Sequence, residues 1–276
     1  MAYEDEIEAW RGRRLARLVA PDGWLSLAGL AWLREGDNRV GADPSCDVVL
    51  PAGAAPALLG SIIVSGGNAT ATFPPGSGVT ADGRPVESIA LHHDFDETPT
   101  ELTVGSLRLR LIRRANALAI RIFDWERADP AAPPDIPHYP VDPTWRLDGR
   151  FEPADSIRRV LLPTVVGPGQ DYRIVGSVSF RLADTPLTLE AYQELDESDL
   201  FLVFGDLTNG DETYPGGRYL YANPPAPEDG FVELDFNRAY NPACVFTPYA
   251  TCVLAQPTNR LPVRIEAGEK RYPAPT

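Results

Sequence analysis

The chain has 276 residues, with 25 Lys or Arg against 39 Asp or Glu, a net charge of −14. That balance excludes nucleic acid and an anionic membrane surface as partners, because both would be repelled. Three histidines all but exclude a multi-histidine metal site, while 28 prolines and 23 glycines count against long helices.

The first predicted element is a helix over residues 4–19. Ile7, Trp10, Leu15 and Leu18 fall near one face, and Arg11, Arg13, Arg14 and Arg17 fill much of the rest, read as a solvated face. Acidic residues occupy the first turns and arginines the later ones, as the helix dipole favours. Pro21 and Gly23 end it. The acidic start is unlike a secretory signal. The longest apolar stretch, 24–33, is about half the roughly twenty residues a spanning helix needs. The expected location is therefore the cytoplasm, with no membrane partner. Cys46, Cys244 and Cys252 suit a reducing compartment as free thiols, with pairing of Cys244 and Cys252 left open.

Short strands are then expected at 48–50, 61–65, 69–73, 86–91, 101–104, 107–113 and 117–123. Turn signals separate them: Gly66-Gly67-Asn68, the Pro-Gly run at 74–78 and Asp82-Gly83. Such even spacing predicts an antiparallel β-sandwich. Residues 128–143 hold six prolines and read as a stiff extended connection. Strands resume at 145–151, 157–162, 172–182, 187–195, 200–207, 218–221, 231–236 and 261–267. The continuous apolar run in 200–204 marks a central strand. The chain is thus expected to be mainly β. It would comprise an N-terminal helix and β-sandwich (1–127), the connection (128–143), and a C-terminal antiparallel β module with a polar pocket (144–276).

No phosphate-binding glycine loop, dinucleotide fingerprint, serine elbow, Cys-x-x-Cys or His-Glu-x-x-His is present, and no cofactor is implied. His92 and His93 lie in a polar turn and would face opposite ways. His138 sits in the connection, where it could abut a pocket.

The distinctive chemistry lies between residues 204 and 272. In one reading Asp206 and Asp235 form a carboxylate pair for acid–base work, with Tyr214 and Tyr240 as donors. Arg218 would clamp a substrate carboxylate or phosphate, and Asn237, Asn241 and Asn259 would complete the ligand contacts. In another, Cys244 is a nucleophile. A hard cation on Asp206, Asn209, Asp211 and Glu212 is a third, without the spacing of an EF-hand loop. Against all three stands a plain alternative: Asn and Asp cap turns, and Arg218 pairs with a carboxylate.

The same residues carry a resemblance. Gly23-Trp24-Leu25-Ser26-Leu27-Ala28-Gly29-Leu30, Tyr139-Pro140-Val141-Asp142-Pro143 and Phe204-x-Asp206-x-Thr208-x-Gly210 are its first blocks. Asp235-Phe236-Asn237-x-Ala239-Tyr240-Asn241-Pro242-x-Cys244, Tyr249-Ala250-Thr251-Cys252 and Ala267-Gly268-Glu269-Lys270 are the strongest. Together they resemble the bacterial domain of unknown function 1684 family along nearly the whole chain. The resemblance implies no activity, but it does imply that the two halves belong together. Residues 41–50 and the turn at 82–86 also resemble a degenerate forkhead-associated domain. Ala42 stands where that family's phosphothreonine-reading arginine would be.

The expected function is binding of a small polar molecule in the C-terminal pocket, with hydrolysis or isomerisation by Asp206, Asp235, Tyr240 and Cys244. The alternative is a non-catalytic binding or scaffold module using a sandwich face. The sequence does not set the oligomeric state.

Overall fold

The computed structural model describes residues 2–194, 197–225 and 230–273. Its one α-helix among these residues, α1 (Tyr3–Leu18), opens the chain, and the rest is mainly β. The chain divides into two compact units, Ala16–Pro133 and Met1–Leu15 with Pro134–Thr276.

The Ala16–Pro133 unit contains eleven strands: β1 (Leu27–Trp32), β2 (Gly36–Gly41), β3 (Val48–Val49), β4 (Gly60–Ser65), β5 (Asn68–Thr72), β6 (Thr80–Ala81), β7 (Arg84–Pro85), β8 (Ser88–Leu91), β9 (Glu101–Val104), β10 (Leu107–Arg114) and β11 (Ala117–Asp124). One sheet runs β1-β11-β10-β9-β6-β7 and the other β3-β2-β4-β5-β8. Pairing is antiparallel except between β2 and β3. Along β5 burial alternates residue by residue, as a half-buried strand requires. The apolar sides of both sheets share one core, including Val40, Ile62 and Ala71 from one sheet and Leu102, Leu109 and Ile120 from the other. The β6–β7 hairpin turns on Asp82 (φ 50°) and Gly83 (φ 72°). This left-handed pair is the one a two-residue hairpin needs to match strand twist.

Strands β1 and β2 were not among the expected elements. Leu27-Ala-Gly-Leu-Ala-Trp32 lacks β-branched residues and Gly36-Asp-Asn-Arg-Val-Gly41 is largely polar. Pairing of β1 with β11 and of β2 with β4 overrides weak local preference.

The C-terminal unit is built on β12 (Arg146–Leu162), β13 (Gln170–Leu182), β14 (Thr185–Gln193), β15 (Leu200–Phe204), β16 (Arg218–Ala222) and β17 (Phe231–Asp235). They form one antiparallel sheet in the order β16-β15-β14-β13-β12-β17. The two strands expected at 145–151 and 157–162 are one long strand, β12, with an irregularity between Pro153 and Arg158. Leu195, the end of the strand expected at 187–195, lies outside the described residues. β15 is buried along its whole length, between β14 and β16.

The sheet curls until its edge strands β16 and β17 approach each other. Tyr219 on β16 and Tyr240, just past β17, exchange both backbone hydrogen bonds, at 2.9 and 3.0 Å. The Phe204 and Phe236 rings meet edge-on inside, 5.4 Å apart. The segment 261–267, expected as a strand, is not one. Leu261, Ile265 and Ala267 are buried, but Pro262 removes a donor, and the carbonyls of Ile265 and Ala267 are taken by a side chain instead of a ladder.

The first turns of α1 pack with this unit. Tyr3, Ile7, Trp10 and Arg14 recur at helical spacing, and Ile7 is fully buried. The compact units therefore divide the chain differently from boundaries at 127 and 143. Residues up to Leu15, and those from Pro134, group with the C-terminal sheet. Among the described residues no helix is long and apolar enough to cross a membrane.

Candidate functional site

Register brings Arg218, the first residue of β16, opposite Phe204, the last of β15. Its guanidinium is 0% exposed. Nη2 donates to Asp206 Oδ2 at 2.9 Å and to the Ile265 carbonyl at 2.8 Å, and Nη1 donates to the Ala267 and Glu269 carbonyls. Asp206 Oδ1 accepts from the Thr208 amide and hydroxyl, at 2.8 and 2.6 Å, and from the Ile265 amide. Both carboxylate oxygens are thus engaged. A buried ion pair holds its place only when extra hydrogen bonds satisfy it, as they do here.

Asp235 ends β17 and caps the 3-10 turn Phe236–Arg238 through the Asn237 amide. Its Oδ1 also accepts from the Tyr3 hydroxyl at 2.7 Å, and Arg238 Nε lies 3.1 Å from Oδ2. Burial, and then the hydrogen bond to Asp235, push the Tyr3 hydroxyl pKa upward. Asn237 holds Asp142 from both sides, accepting from its amide at 3.1 Å and donating to its carbonyl at 2.9 Å. Asn259 does the same for β14. It accepts from the Glu190 amide and donates to the Glu190 and Val203 carbonyls, at 2.8, 2.9 and 3.0 Å. Asn241 donates to the Lys270 carbonyl at 2.7 Å, and its Oδ1 has no hydrogen-bond partner.

Arg14 and Glu269 were not among the expected site residues. Glu269 is 1% exposed, pairs with Arg14 Nε and Nη2, and accepts from the Asn241 amide at 2.8 Å. The Arg14 guanidinium lies 4.2 Å from the centre of the Tyr240 ring, a cation–π contact. The arginine-rich face of α1 is therefore not all solvated. Arg11 also turns inward, donating to the Tyr139 carbonyl. The position of Arg14 one helical turn beyond Trp10 was the available signal. Of the proposed cation ligands, Asn209 bonds the Asp206 amide and Thr213, Glu212 pairs with Tyr139 and Arg264, and Asp211 is exposed. The Tyr139 hydroxyl is pushed up to about 12, by burial first and then by Glu212. No group of three His, Cys, Asp or Glu among the described residues could hold a metal ion. His138 pairs by backbone with Glu269, and burial, then Arg11, lower its pKa.

Tyr214, Tyr240 and Cys244 are different. All three keep partial exposure, whereas Asp206, Arg218, Asp235, Asn237, Asn241 and Asn259 are buried. Cys244 Sγ lies 3.4 Å from the Tyr214 hydroxyl, and the Cys244 amide donates to Cys252 Sγ at 3.1 Å. The Cys252 thiol and then the Tyr214 hydroxyl favour the Cys244 thiolate and lower its pKa against the effect of burial. Cys252 shifts well upward, through its bond to Cys244 and then its burial. Burial, then Cys244, also raises Tyr214. A Cβ on Gly216 would stand 2.5 Å from the Tyr214 ring, so a glycine is needed for the ring to lie there.

These observations define a mainly β protein whose C-terminal curled sheet is fastened by buried polar side chains and carries a partly exposed Cys-Tyr corner. Residues 134–270 match the model of the family described as protein of unknown function (DUF1684). An uncharacterised protein of Haloarcula marismortui, solved by NMR, is 30% identical over 52% of this chain and 80% of its own, with a TM-score of 0.43. A forkhead-associated domain from work on phosphothreonine-dependent interactions is 18% identical over 34% of this chain and 92% of its own, with a TM-score of 0.24. The first such domain of yeast Rad53 is 18% identical over 40% and 64%, with a TM-score of 0.21. No curated protein matches the chain.

Proposed function

We propose that the C-terminal unit binds a small polar molecule through Tyr214, Tyr240 and Cys244, of which Tyr214 and Cys244 are in contact. One observation carries this reading. Of the nine residues that sequence chemistry singles out, these three alone keep partial exposure, and a ligand needs groups it can reach. Asp206 and Asp235 hold the frame in this reading, because their oxygens already serve Arg218, Thr208, Tyr3 and Asn237. Any proton transfer to a bound molecule then falls to the tyrosines and the thiol.

A thermal-shift screen of polar metabolites against the full chain tests the proposal. A stabilising ligand should lose most of its shift in Tyr214→Phe and Cys244→Ser. A ligand whose shift survives both substitutions binds elsewhere and ends this reading. A scaffold role has its own support in Val49, Leu58 and Ile63, apolar side chains exposed on the β-sandwich unit at 45%, 53% and 47%. That reading predicts self-association or partner binding that Ile63→Ser weakens.

A further inference from the structure

Cys244 and Cys252 stand eight residues apart in the irregular segment that follows β17. The 3-10 turn Ala243–Val245 and the bend after it reverse the chain, which brings Cys252 Sγ onto the amide of Cys244 at 3.1 Å. The Cys252 thiol also stands near enough to the Cys244 sulfur to favour its thiolate. Cys252 is fixed by its surroundings. Its carbonyl accepts from the Val165 amide at 2.9 Å, and the next carbonyl, Val253, accepts from the Tyr219 hydroxyl at 2.8 Å. Both cysteines are free, and they differ in access: Cys252 is 8% exposed, and Cys244 more open.

We infer that Cys244 and Cys252 form an oxidisable dithiol site whose co-reactant is a hydroperoxide. Cys244 meets the requirements of an attacking thiol: it is the more accessible of the pair, and the Cys252 thiol and the Tyr214 hydroxyl, 3.4 Å from its sulfur, favour the thiolate. Cys252 meets those of a resolving thiol, being protonated, buried and adjacent. With Cys252 Sγ 3.1 Å from the Cys244 amide nitrogen, the two Cα atoms can stand no more than about 7 Å apart, close to the roughly 4.4–6.8 Å that a disulfide spans.

The steps balance. The Cys244 thiolate attacks the outer peroxide oxygen, the O–O bond breaks, and the alkoxide or hydroxide leaves and takes a proton from solvent. Cys244 is then a sulfenic acid. The Cys252 sulfur attacks the Cys244 sulfur, forming the S–S bond, and hydroxide leaves with the Cys252 proton as water. The two thiols supply the two electrons that reduce the peroxide. This inference does not depend on the ligand-binding proposal, since it needs only the two thiols and the peroxide they reduce, not a bound metabolite.

The test uses the full chain and hydrogen peroxide at one equivalent, followed by alkylation of the remaining thiols and digestion with chymotrypsin. Phe246 and Tyr249 lie between the two cysteines, so cleavage there separates them unless a disulfide joins them. The expected result is a Cys244–Cys252 linked pair of peptides that dithiothreitol releases, with Cys46 still alkylated. Cys252→Ser should stop at a sulfenic acid on Cys244 that dimedone traps. The inference is overturned if both thiols remain alkylated in the wild-type chain after peroxide that consumes free cysteine. It is equally overturned if Cys252 reacts first, or if the only crosslinks involve Cys46 or a second chain.

Discussion

The two units solve the same problem with different materials. In Ala16–Pro133 nearly every buried side chain is apolar, and Ser26, Asn38 and Arg114 are its buried polar ones. Among the described residues the other unit buries eleven, including Asp206, Arg218, Asp235, Asn237, Asn259 and Glu269. All ten tyrosines also belong to it. The difference follows from the backbone. Eleven strands serve most of the peptide groups of the first unit. In the second, the chain from Phe236 to Pro273 has no strand, only short 3-10 turns and isolated bridges. Buried peptide groups still need partners, and Asp, Asn and Arg side chains supply them. A concentration of such residues can therefore mark an irregular but buried backbone as readily as a reaction centre.

Raising the pH should break this contrast most broadly. Tyr3, Tyr139, Tyr192, Tyr214, Tyr219, Tyr221 and Tyr240 all shift upward from the ordinary 10.0, chiefly through burial. The unfolded chain releases these protons near 10.0 while the folded unit keeps them, Tyr139 to about 12. The folded state then binds more protons, so stability is complete below pH 10 and falls as pH rises above it. Tyrosinate absorbance should appear together with loss of the tyrosine near-UV circular dichroism. Tyrosinate formed near its ordinary pKa, with that dichroism intact, would contradict the burial.

Arg218→Met should cost the C-terminal unit about 3–5 kcal/mol, because it strands a buried carboxylate and three carbonyls. Arg34→Ala in the other unit, whose side chain is largely exposed in its pair with Asp47, should stay within about 0.5 kcal/mol by denaturant titration. Asn259→Ala should cost about 2 kcal/mol through its three backbone bonds to β14 and β15. Tyr3→Phe should cost least of the three in the C-terminal unit, about 1 kcal/mol, since it removes one hydroxyl shared by Asp235 and Asn237. If Tyr3→Phe proved as damaging as Arg218→Met, the ranking by burial would fail.

Where local chemistry dictates structure, the sequence was readable. Gly66-Gly67 turns the hairpin it was expected to turn, Asp82-Gly83 is a turn as expected although its short strands β6 and β7 were not, and the alternation over 107–113 is β10. Where distant partners decide, it was not. β1 exists because β11 pairs with it, and 261–267 fails as a strand because Arg218, far off in sequence, takes its carbonyls. The polar residues at 204–272 stood out by type, but their type could not say whether they face a ligand or a peptide group. Arg14 shows the same limit. Its charge suggested a solvated face, and only the position of Glu269 reverses that.

The Arg14–Glu269 pair joins residues 255 positions apart. During synthesis, the helix that carries Arg14 emerges 255 residues ahead of the carboxylate it pairs with. The Ala16–Pro133 unit is continuous in sequence and can complete its sheets while translation proceeds. The other unit must leave its opening helix waiting, with Tyr3, Trp10 and Arg14 uncovered, until the residues around Glu269 have been made. That waiting interval is where a chaperone, or a slowed ribosome, would have its strongest effect on the yield of this protein.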